Sequence, residues 1–143
     1  MKGILRGLLE HEARTDPGSD DPRLRGRTYA IPFETVWQAS LALGRGGLRG
    51  WSLGHADDQI GVIDVLWRTF VFGIEADIRI EIGLDQDAQT RVDLRALSRN
   101  GRGDLGRNRR AIGRFTRKLD RLLDPRPGQV LDPTRSPRYE SHP

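Results

Sequence analysis

The sequence predicts an α+β fold of two layers: an antiparallel meander of four to five strands, with one helix before it and one long C-terminal helix after it, both packed on one face. Three observations carry this. Residues 75–84 and 90–98 alternate apolar and charged side chains with the period of a strand. Residues 104–123 set apolar side chains at helical spacing opposite a run of arginines. The 143-residue chain has polar, Pro-rich ends. They leave about 100 residues for a core, enough for one modest domain and not for two. The expected organisation is a leader and linker over 1–26, the α+β domain over 27–124, and an extended tail over 125–143.

In the leader, Ile4, Leu5, Leu8 and Leu9 could form a short amphipathic helix, and residues 15–22 are turn-formers that read as a linker. Thr28 to Ile31 suits a short strand. Pro32 fits the step into a helix because its φ is already set. Glu34 lies in that helix's first turn, where a carboxylate meets the positive end. The helix runs through Val36, Trp37, Ser40 and Leu41 and stops at the glycines 44, 46 and 47. Strands follow at 51–54, 60–67, 75–84 and 90–98.

The last two strands flank Asp85-Gln86-Asp87 and read as a hairpin. With that tripeptide as the loop, Leu84 faces Ala88. Glu81 then faces Arg91, Arg79 faces Asp93 and Asp77 faces Arg95, each pair contributing about 0.2–1 kcal/mol. Val92, Leu94 and Ala96 point inward; Arg91, Asp93 and Arg95 point outward. Asp104 is the expected N-cap of the final helix, whose apolar stripe is Leu105, Ile112, Phe115, Leu119 and Leu122. Pro125 ends it, and five prolines from there to Pro143 read as an extended tail.

Composition excludes several chemistries. There is no cysteine, so disulfides, zinc–thiolate sites and cysteine nucleophiles are ruled out. No stretch approaches the ~18 apolar residues of a membrane-spanning helix. The opening apolar run is broken by Arg6, short of the ~7–15 residues of a signal peptide. The expected location is the cytoplasm, with peripheral attachment to a membrane surface as its extension. His11, His55 and His142 show no metal-ligand spacing, and no phosphate-binding glycine motif occurs. No metal and no cofactor are expected, and no catalytic residue is assigned.

Charge is concentrated. Residues 99–121 hold nine basic and two acidic side chains, a net of +7 in a chain whose total is +4. Such a segment attracts polyanions or anionic membranes. Its weight is reduced because all but two of the 24 basic residues are arginine, which points to base composition.

The segment Ser98-Arg99-Asn100-Gly101-Arg102-Gly103-Asp104-Leu105-Gly106-Arg107-Asn108 is a strand end, a glycine-rich turn and a helix start. Arg99, Gly101, Arg102, Asp104, Gly106, Asn108 and Arg110 form the candidate anion or partner site, since helix N–H groups can hold an anion beside the arginines. Asp104 competes for the same N–H groups. With the strand before it, Val92-Asp93-Leu94-Arg95-Ala96-Leu97-Ser98-Arg99, this run resembles domain of unknown function 1499. Members of that family close with Val-Asp-Val-Arg-Ser-x-Ser-Arg, then Gly-Arg-Ser-Asp-Leu-Gly-x-Asn and a basic helix. Pro32-Phe33-Glu34-Thr35-Val36-Trp37, Gly50-Trp51 and Phe72-Gly73-Ile74 match further features, so the resemblance spans about residues 27–123. Glu75-Ala76-Asp77 departs from the paired acids that members often carry there. The resemblance implies a fold and brings no reaction, substrate or cofactor.

Three function classes remain. The preferred one is a non-enzymatic binding or scaffold domain. It would engage another protein first of all, or an apolar or anionic ligand, through the arginine face and tails or through an apolar slot between sheet and helix lined by Trp37, Trp67, Phe70 and Phe72. Nucleic-acid or anionic-membrane binding through 99–121 comes second. An enzyme with a site near Asp104 and Asn108 comes last.

Overall fold

The computed structural model describes residues 12–70, 73–99 and 106–133. Its elements in chain order are strand β1 (Glu12–Arg14), a 3₁₀ turn (Pro22–Leu24), β2 (Arg27–Tyr29) and helix α1 (Phe33–Ala42), which runs into a π turn (Leu43–Gly47). Then come β3 (Trp51–Asp57), β4 (Val62–Arg68), β5 (Glu75–Leu84), β6 (Thr90–Ser98), helix α2 (Arg107–Leu123) and β7 (Val130–Leu131).

The strands form one antiparallel seven-stranded sheet in the order β3-β4-β5-β6-β2-β7, with β1 also pairing β6. β3 to β6 are the expected meander. The second edge of β6 is shared: β2 pairs residues 90–92 and β1 pairs residues 95–97. One sheet face carries Ile63, Val65, Ile78, Ile80, Ile82, Val92, Leu94 and Ala96, all buried. Against it lie α1, through Val36, Trp37 and Leu41, and α2, through Ile112, Phe115 and Leu119. Each such side chain removed from water contributes about 1.5–3 kcal/mol, which makes this interlayer the main support of the fold. The two-layer α+β architecture is therefore the one expected. Among the described residues no helix is long and apolar enough to cross a membrane.

Several expectations need correction. Residues 12–25, read as leader and linker, contain β1 and the 3₁₀ turn and bury Ala13, Thr15 and Leu24. Residues 130–131, read as tail, pair with β2. The amphipathic leader helix lies outside the described residues.

The hairpin register is shifted by two. Asp85 Oδ1 accepts from the backbone N–H groups of Asp87 and Gln89, and Ala88 takes φ 61°. The loop thus spans 85–89, and Leu84 pairs with Thr90. Glu81 consequently faces Asp93, and Arg79 faces Arg95, like charge opposite like. The charges are satisfied sideways instead: Arg79 with Asp64 on β4 at 2.8 Å, Arg95 with Glu12 on β1 at 2.8 Å, and Asp93 with Arg91 at 2.8 Å.

Arg91 and Asp93, expected outward in solvent, are buried at 1% and 4% exposure under the segment that ends in β2. Finally, α2 starts at Arg107 with Gly106 in the cap position at φ 78°, so the cap is not Asp104. Leu122, placed in the apolar stripe, is exposed.

Candidate functional site

The sheet's cleft-forming end is made where the chain enters β3 and leaves β4. Gly50 has φ 83°, and a Cβ there would stand 2.4 Å from the Arg68 carbonyl oxygen, so only glycine lets the two strands meet so closely. The Arg68 N–H donates to the Gly50 carbonyl at 2.9 Å, and Trp51 pairs with Trp67 across the ladder. Trp51 is stacked on Phe115 of α2, with centroids 5.7 Å apart and 9° between planes. Beyond β4 the Thr69 N–H donates to the Ile74 carbonyl, and the Ile74 N–H to Thr69 Oγ1 at 3.0 Å. This closure puts Phe70 at the turn, 83% exposed, with the Arg49 guanidinium 4.7 Å from its ring centre.

Between these parts and α2 lies a cleft of about 1120 Å³ whose lining includes Arg49, Trp51, Trp67, Phe70 and Arg114. A smaller recess of about 270 Å³ shares Trp67, Phe70 and Arg114 and extends the lining to Arg107 and Arg110. The larger cleft's acid is Glu75, which stands 4.0 Å from Arg68. Arg49, Arg107 and Arg114 form no ion pair among the described residues. The buried indole N–H of Trp51 has no hydrogen-bond partner among them either. An aromatic floor under a guanidinium rim can hold an anion that also offers a flat or apolar body, by charge and by ring contact together.

The expected site residues are dispersed. Trp67, Phe70 and Arg110 meet in the recess. Trp37 does not join them: it is buried in the core and stacked on Phe33 at 5.8 Å. Arg99 lies over the open sheet face, paired with Asp77 at 2.9 Å, which raises the guanidinium's affinity for its proton. Asn108 is buried, and its Nδ2 donates to Ser98 Oγ at 3.0 Å, pinning the first turn of α2 to the end of β6. Gly106 supplies the left-handed residue before that turn. Gly101, Arg102, Asp104 and Phe72 lie outside the described residues.

Arg49, Trp51, Arg107 and Arg114 were not assigned to the candidate site from the sequence. For Arg114 a signal existed, its i, i+4 spacing from Arg110. For Arg49 there was none, since its partner ring is 21 positions away. No cluster of three metal-ligating side chains occurs among the described residues, and His55 is an exposed β3 residue.

The family model described as "Protein of unknown function (DUF1499)" matches residues 32–119, more than half of the chain. No curated protein and no solved structure matches.

Proposed function

The chain belongs to the DUF1499 family, and we propose that this member is a binding domain whose cleft takes an amphiphilic anion, acidic head on the arginine rim and apolar body on the aromatic floor. The observation that carries the reading is the pairing of an exposed Phe70 with Arg49, Arg110 and Arg114 around Trp67. A ring left in water beside Arg49 and Arg114, which have no carboxylate partner among the described residues, is an arrangement that a ligand with both features would relieve. Binding is favoured over catalysis because, among the described residues, the cleft lining includes no histidine and one carboxylate, Glu75, beside Arg68. General acid–base chemistry needs a poised group within reach of the substrate.

The test uses the tryptophans as reporters. Dodecyl phosphate should change the emission of Trp51 and Trp67 saturably, and dodecanol should not. Arg114→Gln should weaken the response about tenfold, the loss of one charge-assisted contact. An equal response to alcohol and phosphate, or no saturation with either, would end the proposal.

A further inference from the structure

We propose that the outward face of α2 docks on an anionic phospholipid surface, with Phe70 entering the interface. Arg107, Arg110, Arg114, Arg117 and Arg121 recur at i, i+3, i+7, i+10 and i+14. They therefore lie in one row about 21 Å long on one side of the helix. Asn108, Ala111, Ile112, Phe115, Thr116 and Leu119 are buried on the other side. Lys118 adds a sixth positive charge beside the row. The helix's acid, Asp120, is turned toward the sheet, where it accepts from Tyr29 and Arg27.

The row differs from the arginines of the central strands in its partners. On the sheet, Arg79, Arg91, Arg95 and Arg99 each have a carboxylate partner. On α2, Arg107, Arg114, Arg117 and Arg121 have none among the described residues. Like charges three and four residues apart repel, and α2 has no acid in its first turn to offset Arg107 at the positive helix end. A layer of lipid phosphates would turn each of these repulsions into an attraction.

Exposed apolar side chains flank the row. Phe70 shares the recess with Arg107, Arg110 and Arg114, and Leu122, 55% exposed, follows Arg121. A straight basic row between two apolar side chains fits a flat interface that offers phosphates and acyl chains together. A nucleic acid would ask for several rings open to stacking. Trp51 and Trp67 are buried, leaving Phe70 as the exposed ring of the cleft among the described residues. The inference goes beyond the cleft reading, since Arg117 and Arg121 lie outside the cleft lining.

The experiment is flotation of the full chain with vesicles of equimolar phosphatidylglycerol and phosphatidylcholine, beside vesicles of phosphatidylcholine alone. Binding to the anionic vesicles only is expected, falling as salt is raised. The pair Arg117→Gln and Arg121→Gln should lower partitioning about 25-fold, roughly five-fold per charge, while Arg117→Lys with Arg121→Lys keeps it. Phe70→Trp should show a blue-shifted emission on the anionic vesicles. The glutamine pair should still respond to dodecyl phosphate, which separates this proposal from the cleft reading. Equal binding to both vesicle types, no binding to either, or an unchanged glutamine pair would overturn it. So would tighter binding to an oligonucleotide that the glutamine pair loses.

Discussion

Arg91 and Arg114 carry the same guanidinium in opposite surroundings. Arg91 is sealed at the corner of β2 and β6. Its Nε and Nη2 donate to the Asp93 carboxylate at 3.1 and 2.8 Å, its Nη1 to Thr28 Oγ1 at 3.3 Å, and its Nη2 also to the Arg25 carbonyl. Thr15 Oγ1 donates to Asp93 at 2.7 Å and accepts from the Leu94 N–H, which completes the set. Even the backbone makes room: a Cβ on Gly26 would stand 2.4 Å from Arg91 Nη2. Arg114 is exposed and has no ion pair among the described residues. A chain rich in arginine thus uses the residue both as a buried crosslink and as a surface charge. Composition alone cannot tell the two apart; the partners can.

The comparison predicts opposite responses to removing an arginine. The largest effect is expected from Arg91→Leu, which strands the Asp93 carboxylate in the interior. Breaking a buried pair from one side costs about 3–5 kcal/mol, and urea unfolding should show it as a lower midpoint with an unchanged slope.

Tyr29→Phe comes next. It leaves the ring in place and removes the hydroxyl that donates to Asp120. Hydrogen bonds to charged groups are worth about 1.5–3 kcal/mol. Burial first, and Asp120 second, push the Tyr29 phenol far above its ordinary 10.0. A raised pKa supplies stability below pH 10 that fades as pH climbs above it, so the phenylalanine variant should lose less stability than the parent in alkali.

Asp21→Asn is a smaller change. Arg23 bonded to its carboxyl holds Asp21 at about 2, against 3.8 unperturbed. The carboxylate also receives the Arg23 N–H at the start of the 3₁₀ turn and lies 3.5 Å from Arg109. A depressed pKa gives stability above pH 3.8 that is lost as pH falls toward 2. The parent's stability curve should therefore drop across that window by about 0.5–1 kcal/mol more than the variant's, a figure held low by solvent screening.

Smallest, and opposite in sign, is Arg117→Gln. Relieving its repulsion with Arg114 and Arg121 should raise stability by a few tenths of a kcal/mol, about 0.2–0.5 per pair. The gain should disappear in ~1 M salt, where screening falls to about 3 Å. A destabilised Arg117→Gln, or a harmless Arg91→Leu, would break the comparison.

How much of this was legible depended on whether the decisive partner was local. The alternation of Ala76, Ile78, Ile80 and Ile82 dictates one buried face whatever they meet, and β5 and β6 follow from it. The hairpin register did not follow, because it turns on one carboxylate, Asp85, collecting two backbone N–H groups and lengthening the loop. β1 and β7 have three and two residues. Strands so short carry no period and exist only through β6 and β2. The cleft was half legible. Trp67, Phe70 and Arg110 stood out for unrelated reasons, an apolar slot and an anion site, and only the fold brings them together. The arginine face of the last helix was legible from its 3.6-residue period; which of its arginines go without a carboxylate was not, because the partners are set by the fold.

The shared edge of β6 has a consequence for a chain made from its N-terminus. Thr15, Arg27 and Tyr29 reach their places against residues 90–94, which are synthesised some 60 or more positions later. At ribosomal rates of 5–20 residues per second, β2 waits roughly 3–12 s for its partner strand. Over that interval β3, β4 and β5 can already pair with one another, leaving the β5 edge open to a neighbouring nascent chain. Brevity limits the hazard at the N-terminal end, since three-residue strands among charged side chains make poor templates for intermolecular pairing. The vulnerable moment in this protein's biogenesis is therefore the emergence of residues 90–98, when one late strand must capture β5, β2 and β1.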